Sequence, residues 1–234
     1  MAKILWDQAG DKKYETGVDH GVLYVKQDTS VAVPLGDNKT SVGTKYHGGV
    51  AWNGLTSVSK SPSGAEANDI YADNVKYASL RSAETFGGTI EAYTYPDAFA
   101  ECDGSKSIAS TGVYVGQQAR RTFGMCYRTA VGNDIENNDY GYKLHVIYGA
   151  LAAPSEKAYA TINDSPEAIT FSWEFTTTPV EATGFKPTSH IEIDSTVVDA
   201  SKLEALEAKL YGSEDSEPTL PMPNEIIALV GTQG

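Results

Sequence analysis

Ile169, Phe171, Trp173 and Phe175 alternate with Ala168, Thr170, Ser172, Glu174 and Thr176. Successive side chains of a strand point to opposite faces, so this spacing places four large apolar groups on one side and small or polar groups on the other. The period recurs. Tyr140, Tyr142, Leu144, Val146 and Tyr148 alternate with Gly141, Lys143, His145 and Ile147, predicting a long strand with an aromatic inner face. Phe123, Met125 and Tyr127 mark a third strand, and Ile191 and Ile193 between His190, Glu192 and Asp194 a fourth. Weaker candidates lie at 22–26, 56–60, 69–80, 88–95 and 157–161, separated by turn signals such as Gly87-Gly88, Gly132-Asn133-Asp134 and Asn137-Asn138-Asp139. Many strands at short spacing, with no helix–strand alternation, exclude a parallel α/β sheet. They predict a mainly β fold, an antiparallel β-sandwich or barrel.

One amphipathic helix interrupts the pattern, at about 200–211. Leu203, Leu206 and Leu210 recur at helical spacing, Asp199 is placed to cap the start and Gly212 to end it. A short helical turn is expected near 96–100. Beyond Gly212 an acidic linker leads to TLPMPNEIIALVG, where Pro221 and Pro223 favour extended backbone before an apolar run. This segment reads as an arm that docks elsewhere on the fold or onto a neighbour, with Ile226, Ile227 and Leu229 as its anchors. In the second case, removing everything after Gly212 should leave a folded monomer. The stretch 33–49 carries Pro34, Gly36, Asp37, Lys39 and Lys45 with no clear period of either kind, which fits an interaction loop or an undetected hairpin.

At 234 residues the chain can bury a core without a metal or disulfide staple. Cys102 and Cys126, the only cysteines, read as reduced and structural. No apolar run approaches the roughly 20 residues of a membrane span, and Ile4, Leu5 and Trp6 are too few for a secretory signal, so neither membrane insertion nor export by that route is expected. The net charge is -13, and it is lopsided: residues 1–133 carry 14 acids and 13 bases, residues 134–234 carry 17 acids and 5 bases. Stable binding of nucleic acid or of an anionic membrane is disfavoured, because neutralising phosphates takes a surplus of Lys and Arg.

Sequence motifs for chemistry are missing: there is no nucleophile elbow, P-loop, dinucleotide fingerprint, C-x-x-C pair or H-E-x-x-H helix. No catalytic, cofactor-binding or metal-ligating residues are therefore assigned. The histidines at 20, 47, 145 and 190 lack metal-ligand spacing, and His145 and His190 fall on the polar faces of their strands, where they are expected at the surface. Asp19-His20 could begin a triad only with a geometry that sequence does not supply. Glu192 and Asp194 share a strand face and are expected on an exposed edge.

The stretch GVAWNGLTSVSKSPSGAEANDIYADNVKYASLRSAETFGGTIEAYTYPDAFAECDG from Gly49, FGMCYRTAVGNDI from Phe123 and LPMPNEIIAL from Leu220 together resemble the major tail protein, or tail tube protein, of long-tailed bacteriophages of Gram-positive bacteria. The resemblance runs in order through nearly the whole chain. It implies a tail-tube sandwich at 1–212 and a linker and arm at 213–234. It further implies homo-oligomeric, usually hexameric, rings stacked into a hollow tube, assembled in the host cytoplasm and carried in the virion. Such a tube encloses a tape-measure protein, meets tail terminator and distal tail or baseplate proteins, and conducts double-stranded DNA without holding it. Rings of contractile tails, tailocins and type VI secretion tubes share the plan.

With that implication, the loop residues Pro34, Gly36, Asp37, Lys39 and Lys45 and the tail residues Pro221, Pro223, Ile226, Ile227 and Leu229 become assembly candidates. Glu156, Asp164, Glu167, Glu174, Glu192 and Asp194 become candidates for a negative bore that repels DNA within about 8 Å, the Debye length at physiological salt. Two other classes compete. A carbohydrate-binding β-sandwich would use Trp6, Trp52 or Trp173 as stacking platforms, although Trp173 alternates in phase with core residues; a hydrolase lacks a motif.

Overall fold

The computed structural model describes residues 4–27, 33–35, 39–41, 45–46, 48–64, 66–108, 111–162, 164 and 166–231. Its strands run in chain order as β1 (Tyr14–Gln27), β2 (Val33–Leu35), β3 (Lys39–Ser41), β4 (Lys45–Tyr46), β5 (Val50–Trp52), β6 (Leu55–Lys60), β7 (Ser63–Gly64), β8 (Ala67–Ala72) and β9 (Val75–Arg81). They continue as β10 (Glu84–Thr85), β11 (Gly87–Ala92), β12 (Lys106–Ser107), β13 (Tyr114–Val115), β14 (Phe123–Asn133), β15 (Asn137–Ala152), β16 (Phe171–Thr177) and β17 (His190–Asp194). A 3-10 turn at Asp97–Glu101 precedes β12, and two helices, α1 (Ala200–Tyr211) and α2 (Pro223–Val230), follow β17. The fold is thus mainly β and antiparallel. Among the described residues no helix is long and apolar enough to cross a membrane.

The main sheet has nine strands in the order β4-β1-β14-β15-β16-β11-β6, with β17 added to β15 and β5 to β1. Strand β15 belongs to two leaves. Residues 143–147 pair with β17, whereas residues 150–152 pair with β16. The change of partner falls at Gly149, whose φ is +61°, and where a Cβ would lie 2.3 Å from the Thr178 carbonyl oxygen. Only glycine fits such a point. Its N–H donates to the Tyr46 hydroxyl at 3.0 Å and its carbonyl accepts from the Thr178 N–H at 3.0 Å, so the bend leaves neither group without a partner.

Between the leaves lies an aromatic core. Leu23, Met125, Tyr127 and Ile147 face Ile90, Trp173 and Phe175. Phe99, carried by the 3-10 turn, stands 4.6 Å from Trp52, 5.1 Å from Trp173 and 5.5 Å from Phe123, measured between ring centroids. The alternating run that starts the strand argument therefore buries Trp173 and Phe175 as its period requires, while Ile169 precedes the strand itself.

The opposite face of β1, β14 and β15 forms a second core from Val22, Tyr24, Cys126, Leu144, Val146 and Tyr148, closed by Leu203, Leu206 and Leu210 of α1. Helix α1 has the ends expected for it: the Asp199 carboxylate accepts the Ser201 N–H at 3.0 Å, and Gly212 takes a φ of +81°. Cys102 lies in the first core and Cys126 in the second, both as free thiols; burial pushes each up to about 12.

The tail docks on its own fold, one of the two placements expected for it, but its backbone is not extended throughout. It folds back on its own chain and ends in a second helix, because Pro223 takes the first helical position, where its fixed φ suits the turn and its missing N–H is no loss. Leu220 donates its N–H to Tyr46 at 3.1 Å, and the Tyr148 hydroxyl donates to the Pro221 carbonyl at 2.7 Å. The Leu220 side chain sits in the pit above Gly124, where a Cβ would come within 2.3 Å of it. Pro221, Pro223 and Ile226 are buried and Ile227 and Leu229 half-buried in the single chain, so removal of the tail opens the second core.

Other expectations change as well. The candidate strand at 69–80 is the hairpin β8–β9, which turns on Asp73 and Asn74 at φ 51° and 63°. The stretch 157–161 forms no strand despite its alternation. In the loop at 33–49, the backbones of Pro34 and Lys39 fall in the ribbon β2–β3 and that of Lys45 in β4, while Gly36 and Asp37 lie outside the described residues.

Candidate functional site

Cross-strand register gathers the polar residues that the sequence places on one face of β14, β15 and β17. Tyr127 pairs with His145 and Thr129 with Lys143; His145 in turn pairs with Glu192 and Lys143 with Asp194. Because residues two apart share a face, His190 joins this set. The expectation of surface histidines is wrong for His145, whose side chain is 2% exposed. Polarity of a strand face says nothing about cover. Here the other leaf supplies it through Lys60, at the end of β6, and Phe86, just before β11.

Four rings stack across this junction. Centroids are separated by 4.7 Å from Tyr127 to His145, 5.7 Å from His145 to His190, and 5.1 Å from His190 to Phe86, with interplanar angles of 20°, 15° and 8°. The Phe86 end is fixed by its carbonyl, which accepts the Thr177 hydroxyl at 2.7 Å and the Thr177 N–H at 3.1 Å. Buried in the column are a Tyr127 hydroxyl and a His190 Nε2 without hydrogen-bond partners among the described residues.

Charges line the outer side of the column. Lys60 Nζ stands 3.0 Å from His145 Nδ1 and 3.1 Å from Glu192 Oε2, and Lys143 Nζ stands 2.9 Å from Glu192 Oε1 while also pairing with Glu15. A lysine ammonium only donates, so His145 Nδ1 must present its lone pair. The ring proton is then on Nε2, which donates to the Thr129 hydroxyl oxygen at 2.9 Å. Burial, and next the Lys60 charge, lower the His145 imidazole to about 4; burial, Lys60 and His145 do the same to His190. For Glu192 burial acts upward, but hydrogen bonds from Lys143 and Lys60 outweigh it and hold the carboxyl at about 2. Two neutral imidazoles and an ionised carboxylate thus share one locus, the donor set that could hold a metal: their candidate ligand atoms all lie within 4.8 Å of one another.

Glu192 is therefore not a bare acid, and its charge is matched by two lysines. Asp194 caps a turn, its Oδ1 accepting the Thr196 N–H at 2.8 Å and hydroxyl at 2.7 Å. Among the other bore candidates, Glu156, Asp164, Glu167 and Glu174 are exposed. Asp19 accepts both Arg128 Nε at 2.9 Å and an Arg128 terminal nitrogen at 3.0 Å, with His20 Nδ1 also 3.0 Å away, so its carboxylate serves a bidentate ion pair. Trp52 is buried, donating Nε1–H to the Thr94 carbonyl at 3.0 Å, and Trp173 is buried beside it; of the three candidate sugar platforms only Trp6 is exposed.

Sequence reasoning missed Lys60, Phe86, Thr129 and Tyr127. The usable signal was consecutive same-face polarity, Lys143 with His145 beside His190, Glu192 and Asp194, on strands otherwise built for a core. No protein-family model matches the chain, and no curated protein matches it either.

Proposed function

We propose that the chain is a structural subunit that polymerises with copies of itself into stacked rings, as the tube of a long-tailed phage. The observation that carries the reading is the hairpin β8–β9. Among the described residues it pairs with no other strand, yet it exposes Ile70, Tyr71, Val75, Tyr77 and Leu80, with Tyr71 at 69%, Val75 at 62% and Tyr77 at 75%. Scattered apolar surface needs no explanation, but a ribbon with this density of it marks a contact surface. Strand β6 adds an edge: among the described residues it bonds β11 alone and ends the sheet, leaving its other side open to pairing. Head-to-tail contacts between such unlike patches close into rings when the rotation allows.

The resemblance set out above supplies the assembly and its partners, the tape-measure, terminator and distal tail proteins, with DNA as a passenger. Within it, Glu156, Asp164, Glu167 and Glu174 are the acids still available to a bore. Ile226 no longer serves as an anchor for a neighbour, and the hairpin takes that part. Electron microscopy and sedimentation of the concentrated protein test the proposal. Rings or tubes that Val75→Asp abolishes without lowering the melting temperature are expected, whereas persistent monomers of the unaltered chain at every concentration would overturn it.

A further inference from the structure

We propose that His145, His190 and Glu192 form a binding site for one divalent transition-metal ion of the zinc class, at a position held here by the Lys60 ammonium. The donor set is two imidazoles and a carboxylate, which suits zinc or cobalt rather than calcium or magnesium, whose shells are oxygen. His145 is prepared as a ligand: its Nδ1 lone pair faces a cation at 3.0 Å, and its Nε2–H is tied to Thr129 at 2.9 Å, the outer hydrogen bond that fixes tautomer and ring orientation in metal-bound histidines. Glu192 divides its two oxygens. Oε1 is held by Lys143 at 2.9 Å, and Oε2 faces the locus, 3.1 Å from Lys60 and 3.5 Å from His145 Nδ1.

Lys60 is the exchangeable element. It is the last residue of an edge strand and its side chain is 31% exposed, so the ammonium has a route to water when an ion of higher charge arrives. Ligand atoms within 4.8 Å of one another must draw in to about 3.3 Å around a tetrahedral ion with bonds near 2.0 Å. To aim both in-plane lone pairs at one ion, the rings of His145 and His190 must tilt out of their near-parallel 15° arrangement, and solvent supplies the fourth ligand.

The experiment titrates the full chain, stripped with EDTA and desalted, with Co2+ by visible absorption and with Zn2+ by calorimetry and thermal melting. One ion per chain is expected. Lys60→Ala removes the competing charge and should tighten binding about tenfold, while His190→Gln and Glu192→Gln should each weaken it at least tenfold, by about 1.4 kcal/mol per factor of ten. Tightening on removal of a lysine separates the site from adventitious binding to another histidine. Should a ligand variant fail to fold, Lys60→Ala decides alone: tighter binding supports the site, and unchanged or weaker binding overturns it. The proposal also fails if neither the unaltered chain nor Lys60→Ala binds either ion up to about 1 mM, or if binding persists undiminished in His190→Gln.

Discussion

The two faces of the β14–β15 hairpin are buried by different means. One is covered by Trp173 and Phe175 of the opposite leaf and by Phe99 of the 3-10 turn, and passes at its rim into the imidazole column with its lysines and glutamate. The other is closed by aliphatic teeth from residues near the end of the chain, Leu203, Leu206, Leu210, Leu220 and Ile226. Alternation along β15 reports which residues differ between these faces. It does not report that both faces are covered, and it is the cover that turns His145 from a solvated side chain into a buried base.

The largest test of that contrast is deletion of residues 213–234. It exposes the pocket filled by Leu220 and Ile226, worth about 3–6 kcal/mol at the usual value of a fully buried aliphatic side chain, and the melting temperature should fall accordingly. The two thiols give a readout of each face. In the truncated chain Cys126 should react with a thiol reagent ahead of Cys102, since only the helix-covered face has opened. Trp173→Ala attacks the other side, with an expected loss of about 3–5 kcal/mol by denaturant titration and the reverse labelling order. Equal labelling of both thiols in both variants would mean that the faces open as one unit.

Leu206→Ala should cost about 2–5 kcal/mol and release Cys126 alone, in single-cysteine backgrounds that isolate its signal. Last comes Val75→Asp on β9, which should change stability by no more than about 0.5 kcal/mol in the monomer while removing self-association in sedimentation. A stability loss of several kcal/mol there would place the hairpin in the monomer core instead of at a contact.

Much of the fold was readable where local pattern and tertiary context agree. His190–Asp194 forms a strand with the predicted limits, and Asp199, the leucine spacing and Gly212 bound α1 as expected. The hairpin β8–β9 looks like one strand in the sequence because its turn, Asp73-Asn74, lacks glycine, although both residues tolerate positive φ. Helix α2 was hidden by two prolines, of which one excludes a preceding turn and the other starts a helix. The imidazole column was least legible. Its members come from β14, β15, β17 and the residue before β11, and no sequence spacing joins positions 86, 127, 145 and 190.

Gly149 carries a mechanical consequence. Since one continuous strand is laddered into both leaves, they cannot shear past each other as separate plates; a displacement of either must stretch β15 or break its ladders on both sides of the bend. Load applied at the β6 edge is thereby passed through the covalent backbone to the β17 side, and the folded chain bears force as a single girder.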